Sequence, residues 1–261
     1  MEIKRINTFY LSPTGNTKKV CEQLAKSLSD EVVSYDRTDF DKRWERVVFT
    51  EEDMVIIGVP CYFGRMPQIV KEFFRYVCAT NTLAVLVTTY GNRDYEDTLL
   101  EMKEEAETRG FRCIAAGAFV GEHSLNAQMG TQRPDLKDMK EIEAFGEAII
   151  QLVGKLEDDQ EIVLEVRGEK PYTSVKDLPI SPITLGSCDS CMMCEKQCPM
   201  KAIPPYNPKE TDGWRCILCG KCVKICPLEA RQIPHKIAEH MKIIEALSQV
   251  KKENEVFIGK K

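Results

Sequence analysis

Residues Arg5–Thr17 read RINTFYLSPTGNT. The first seven form a short, β-rich apolar run. The hydroxyls and glycine after them stand where that strand ends and a helix period (Val20, Leu24, Leu28) begins. N–H groups at a helix N-terminus, with Ser and Thr beside them, make an anion site. The stretch has neither the lysine of a P-loop nor the three glycines of a dinucleotide fingerprint, so a single phosphate monoester suits it better than a pyrophosphate. Taken alone, the same residues also read as an ordinary N-cap.

The alternation continues outward. DMVIIGV (Asp53–Val59), LAVLVTT (Leu83–Thr89) and CIAAGAFV (Cys113–Val120) are apolar runs, with EVVSYD (Glu31–Asp36) a weaker fifth. Continuous apolar strands are buried on both faces, as in a parallel sheet covered by helices. Helix periods lie between them: Ile69 to Val77 after Pro67; Tyr95, Leu99, Met102 and Ala106, ending at Gly110; and Leu136, Met139, Ile142, Phe145, Ile149 and Leu152. The βαβαβ series predicts an α/β fold with an open, doubly wound, five-stranded parallel sheet over residues 1–160. PCYFGRMP (Pro60–Pro67) and TYGNRDYED (Thr89–Asp97) both follow predicted strands, at the edge where such sheets bind ligands. They offer Tyr62, Phe63, Tyr90 and Tyr95 as flat surfaces for a flavin ring, and Gly64 and Gly91 for close backbone approach. Singly, these aromatics also read as loop packing.

Over about residues 1–155 the sequence resembles a flavodoxin, on the S-x-T-G-x-T loop (Ser12, Thr14, Gly15, Thr17) and the two ring loops. The resemblance implies FMN, its phosphate held by Ser12, Thr14, Gly15, Asn16 and Thr17. The ring falls to Pro60, Tyr62, Phe63, Gly64, Thr89, Tyr90, Gly91, Asn92 and Tyr95, with Tyr95 stacked on it and Tyr62 or Phe63 as the second aromatic. Flavodoxins often carry an acidic residue after the loop glycine. Here Asn92 and Arg93 stand there, and less negative charge would ease the addition of electrons. GEHSLNAQMGTQRPD (Gly121–Asp135) departs from the template, and long loops are often functional. In it His123, Ser124 and Arg133 are candidates to position a substrate or line a junction, His123 as a catalytic proton donor. A plain surface loop is the alternative.

Further on, CDSCMMCEKQCP (Cys188–Pro199) and CILCGKCVKICP (Cys216–Pro227) both read C-x-x-C-x-x-C-x-x-x-C-P, and each continues to C-P-x-x-A. Zinc ribbons use two separated pairs closing one tetrahedron, and disulfide frameworks belong to small secreted domains, whereas MEIKRINTFY lacks a signal peptide's apolar stretch. Residues 180–235 resemble bacterial-type two-cluster ferredoxins, whose fourth cysteine ligates the other cluster. On that pattern Cys188, Cys191, Cys194 and Cys226 hold one [4Fe–4S] cluster, and Cys216, Cys219, Cys222 and Cys198 the second. The clusters would substitute for an apolar core in a small α+β domain at 181–235. Of the other cysteines, Cys21, Cys78 and Cys113 read as buried small residues and Cys61 as reactive or packing. Trp214 reads as a cluster's shield.

Residues 161–180, overlapping the proline-rich Glu165–Gly186, read as an extended linker. Residues 236–261 read as a terminal helix, striped by Ile237, Met241, Ile244 and Leu247 and packed on the body, with a tail. The net charge of −5 divides into an acidic first domain and a mildly basic second, so the two could dock on each other or on partners of opposite sign, or merely be solvated. There is no basic stripe for nucleic acid and no apolar stretch approaching ~20 residues for a membrane, and reduced thiols place the chain in the cytoplasm. The whole resembles the flavodoxin–ferredoxin fusions of anaerobic bacteria and archaea, the iron–sulfur flavoproteins. The resemblance implies electron transfer between clusters and FMN, serving a redox protein as donor or acceptor, or else reduction of a small-molecule acceptor at the flavin.

Overall fold

The computed structural model describes residues 3–157, 160–175 and 178–260. The first part runs β1 (Arg5–Tyr10), α1 (Asn16–Leu28), β2 (Val32–Asp36), β3 (Val47–Phe49), β4 (Asp53–Pro60), α2 (Ile69–Phe74), β5 (Val77–Ala79), β6 (Thr82–Tyr90), α3 (Thr98–Glu107), β7 (Phe111–Val120) and α4 (Leu136–Val153). The second runs β8 (Ile183–Thr184), α5 (Met193–Lys196), α6 (Lys221–Lys224), β9 (Arg231–Gln232), α7 (His235–Leu247) and β10 (Glu255–Ile258).

Every residue of β4 and β6 is buried, as their unbroken apolar runs require. The main sheet has the order β2-β1-β4-β6-β7, all parallel, with β10 added antiparallel to β7. Strand order reverses between β1 and β4, which opens a crevice at their carboxyl ends. Leu24, Ile142 and Phe145 from α1 and α4 fill one face of the sheet; Phe73, Phe74, Leu99 and Met102 from α2 and α3 fill the other. The helix expected to reach Val77 stops at Phe74, because Val77–Ala79 pairs as β5 with β3 and Val77 turns into the core.

The sixth strand comes from the far end of the chain. Glu255 pairs with Ala118 and Ile258 with Ala115. Phe257 packs with one core and Ile258 with the other, the alternation of a strand lying across both. The expected tail is thus part of the sheet of the first domain.

Residues 160–175 are fastened along the body. Leu164 is buried, and the Asp97 carboxylate accepts N–H bonds from Glu169 (2.9 Å) and Thr173 (2.7 Å). Lys176 and Asp177 of the expected linker lie outside the described residues.

Arg43, fully buried, ties the two parts together. Its Nη2 donates to the Pro199 carbonyl at 2.7 Å, and its Nε to the Arg37 carbonyl at 3.0 Å. Lys201–Asp41 and Lys224–Glu122, both 2.6 Å, place basic residues of the cysteine-rich part on acidic ones of the other. Exposed pairs of this kind contribute about 0–1 kcal/mol each, so Arg43, whose charge-assisted bonds are worth about 1.5–3 kcal/mol, is the stronger tie.

Candidate functional site

The crevice at the carboxyl edge is a cavity walled by three loops. Its first wall is Ser12, Thr14, Asn16 and Thr17, at the start of α1. Gly15 precedes the helix at φ +97°, a left-handed conformation that favours glycine, and without a side chain it gives α1 no cap from its own N-cap position. Ser12 Oγ accepts from the Lys18 N–H at 2.9 Å, and no acidic residue stands in the first turn. An oxyanion at the start of α1 therefore meets oriented donors and no acidic side chain of that turn.

Pro60, Cys61, Tyr62 and Phe63 form the second wall. Tyr62 and Arg65 exchange backbone hydrogen bonds (3.0 and 3.1 Å) across Phe63 and Gly64, both at positive φ. That is the two-residue turn of a hairpin, and it presents Phe63 to solvent. Thr89, Tyr90, Gly91 and Arg93 form the third wall, stitched to the first by the 2.7 Å contact of Thr17 Oγ1 with Thr89 Oγ1.

Gly64, Asn92 and Tyr95 of the expected ring set lie off the cavity wall. Gly64 shapes the hairpin. Asn92 turns away to the C-terminal segment, donating to the carbonyls of Ser248 (3.1 Å) and Val250 (3.2 Å) and accepting from the Lys252 N–H (2.9 Å). Tyr95, expected to stack on the flavin, is buried beneath the third loop. Its hydroxyl donates to Glu255 of β10 at 2.5 Å, the Arg167 guanidinium covers its ring at 4.2 Å, and Tyr90 abuts it at 5.4 Å. The ring is held there because the tail supplies a carboxylate partner. Tyr62, Phe63 and Tyr90 remain as aromatic walls.

The loop part of the roof falls on His123 and Ser124, expected to line a substrate site or a junction, whereas the helical part was not foreseen. Ile237, His240, Met241 and Ile244 of α7 face the cavity, with His123, Ser124 and Leu125 of the Gly121–Asp135 loop and Leu218 of the second cysteine string. The amphipathic stripe read from the sequence was the signal, and only its last member, Leu247, is exposed. Asn16 Nδ2 fastens the loop by donating to the Glu122 carbonyl at 2.9 Å. Arg133 points elsewhere, into an ion pair with Asp138.

His123 packs so closely on Gly91 that a Cβ there would stand 2.2 Å from its Cδ2. Its Nδ1 accepts from the Leu125 N–H at 3.1 Å, which leaves the proton of the neutral ring on Nε2. Burial, then Lys224 and Arg93, push its pKa down to about 4, so near neutrality it is a hydrogen-bond donor and not an imidazolium acid. A depressed histidine favours folding fully above its unfolded value of 6.5, and the benefit is lost as pH falls through about 4. From pH 7.5 to 5 the protein loses about 2 kcal/mol more stability than a His123→Asn variant. Urea unfolding at the two pH values measures this; equal losses would contradict a buried neutral His123.

The cysteines surround two other cavities. Cys188, Cys191, Cys194 and Cys226 line one; Cys198, Cys216, Cys219 and Cys222 line the other. The backbone obeys the repeat: Ser190 and Leu218, Met192 and Gly220, and Lys201 and Glu229 are paired positions, all at positive φ. Ala202 N–H donates to Cys198 Sγ at 3.4 Å and Ala230 N–H to Cys226 Sγ at 3.2 Å, the bond that closes each C-P-x-x-A turn. Among the described residues no three His, Cys, Asp or Glu group as around one metal ion. Four sulfurs lining a space suit a cubane rather than a single zinc. Burial pushes the Cys216 thiol up to about 11 and Cys219 higher still, so loading with iron would release protons.

Arg231, buried, lines both cysteine cavities. It donates to Thr184 Oγ1 (2.6 Å) and Thr211 Oγ1 (2.7 Å), and lies 3.7 Å from Cys222 Sγ. Trp214, expected as a shield, is 72% exposed and lines neither cavity. Cys21 and Cys113 are buried, Cys78 is exposed in β5, and burial raises the Cys61 thiol to about 11.

Comparison with known proteins agrees with this arrangement. Residues 8–126 match the family model of a flavodoxin domain, and residues 187–231 that of a 4Fe-4S dicluster domain. These two domains define an iron–sulfur flavoprotein of electron transfer. The chain is a flavodoxin–ferredoxin fusion. Similar solved structures include a flavodoxin from the domain Archaea, 16% identical over 58% of this chain and 99% of its own, with a TM-score of 0.42. Flavodoxin 1 from Bacillus cereus is 14% identical over 59% of this chain and 100% of its own, TM-score 0.39. A Streptococcus pneumonia TIGR4 flavodoxin is 18% identical over 59% and 100%, TM-score 0.40. No curated protein matches the sequence. Among the described residues no helix is long and apolar enough to cross a membrane.

Proposed function

We propose that this chain relays electrons in the cytoplasm between a redox partner protein and FMN through two [4Fe–4S] clusters. FMN takes up one or two electrons where a cluster passes one at a time, so the pairing converts between the two. Ser12, Thr14, Asn16 and Thr17, with the turn at Gly15, would hold the phosphate. Pro60, Tyr62, Phe63, Thr89, Tyr90 and Gly91 would hold the ring, with Gly64, Asn92 and Tyr95 fixing the loops from behind. The cysteines would divide into the two crossed sets that line the two cavities.

One observation carries the reading: Leu218, between Cys216 and Cys219, is a wall of both the flavin cavity and one cysteine cavity. Anaerobic purification should give about eight iron, eight sulfide and one FMN per chain. Reduced clusters mixed with oxidised flavin in a stopped-flow instrument should then bleach the flavin. Zinc without sulfide, or clusters that leave the flavin oxidised, would refute the relay.

The roof favours a second reading, in which a small acceptor is reduced inside the cavity. A pure carrier would offer an open flavin edge, whereas here α7 and the His123 loop lie over the site. Steady turnover with a small acceptor and no partner protein would establish this reading; reoxidation only by a redox protein would exclude it.

A further inference from the structure

Tyr62 lines the flavin cavity together with Leu218, which sits between Cys216 and Cys219 and also lines the cavity of that cysteine set. The tyrosine's ring belongs to the cavity wall, while its hydroxyl is buried without a hydrogen-bond partner. Burial first, then the nearby Cys219, Cys61 and Cys216, hold that hydroxyl in its protonated, donating form. A buried phenol left unpaired costs about 1–3 kcal/mol, and its usual remedy is an acceptor. The neighbouring loop is held tightly: a Cβ at Gly220 would meet the Ser124 carbonyl oxygen at 2.4 Å. By contrast the other set includes an exposed cysteine, Cys191, whereas none of Cys198, Cys216, Cys219 and Cys222 is exposed.

We propose that Tyr62 donates its hydrogen bond to a sulfur of the cluster held by Cys198, Cys216, Cys219 and Cys222, making that cluster the inner station beside the flavin and the Cys188 set the outer one. The proposal rests on the relay reading and adds to it an order and a positioning residue. Hydrogen bonds to the sulfurs of a cluster set its potential, because they stabilise the more negative reduced form. Tyr62→Phe removes the donor and keeps the ring.

The test is an EPR-monitored redox titration of the full chain, loaded with clusters and FMN, as wild type, Tyr62→Phe and Cys191→Ala. In Tyr62→Phe one cluster should move to lower potential, its reduction equilibrium falling by about tenfold, or about 59 mV for a one-electron couple. The shifted signal should be the one that survives in Cys191→Ala, and the FMN midpoint should stay in place. Two unmoved clusters, a shift in FMN instead, or a shift in the signal that Cys191→Ala removes would each overturn the proposal. If Cys191→Ala does not load, an exchangeable proton coupled to the shifted cluster in wild type and lost in Tyr62→Phe supports it, and its absence from wild type refutes it. Failure of the relay itself appears separately, as wild-type flavin that the reduced clusters cannot bleach.

Discussion

Cys226→Ala should cost the chain the iron associated with Cys188, Cys191 and Cys194, and spare that associated with Cys216, Cys219 and Cys222. Read along the sequence, the result would be paradoxical, since Cys226 closes the second string. In space it follows directly, because Cys226 lines the cavity of the first string and Cys198 that of the second. A cubane left with three protein thiolates loses one covalent ligand and is held more weakly. Iron should therefore fall from about eight to about four per chain. Flavin should still be reduced by the remaining cluster once that cluster is charged with dithionite. Iron analysis and EPR of the anaerobic variant make the measurement. Loss of the Cys216 set instead, with the Cys188 set intact, would rule out crossed ligation.

Deleting residues 250–261 should weaken FMN binding by at least tenfold, although none of the described residues among them lines the proposed flavin cavity. The deleted segment accepts the Tyr90 hydroxyl's hydrogen bond at the Glu253 carbonyl (3.1 Å), and its Asn254 Oδ1 accepts from the Val120 N–H (2.9 Å). It also supplies Glu255 to Tyr95, and the Val250 carbonyl and Lys252 N–H to Asn92. Each buried group stripped of its partner costs about 1–3 kcal/mol, and about 1.4 kcal/mol within a binding loop already amounts to tenfold in affinity. The edge of β7 at Ala115–Ala118 would also be uncovered, so aggregation should rise. Flavin fluorescence titration and thermal unfolding report the two effects. A truncated chain that binds FMN as tightly as the full one would show that the tail does not brace the third loop.

The sequence disclosed most where the physical constraint was local. Strands such as DMVIIGV announce themselves because burial on both faces needs apolar residues at every position. The cysteine strings are legible because a cluster dictates the spacing of its ligands. Contacts between distant segments were hidden. EVFI, Glu255–Ile258, is too short to name its partner, so neither the sixth strand nor the capture of Tyr95 by Glu255 could be foreseen. The stripe on α7 told that the helix would pack but not that it would roof the cavity at the sheet's carboxyl edge. Cys78 looked like core, yet it lies on the outer side of a small ribbon that local periodicity could not separate from a helix.

Because the chain leaves the main sheet after α4, builds the cysteine-rich part and then returns as β10, the second domain is threaded into the first like a bead on a closed loop. A domain hung from one end can pivot outward to deliver electrons elsewhere; one anchored at both ends, and held at Arg43, is more restrained. On a ribosome, too, the flavin domain lacks its last strand until the iron-binding segment has been made, so completion of one redox site waits on synthesis of the other.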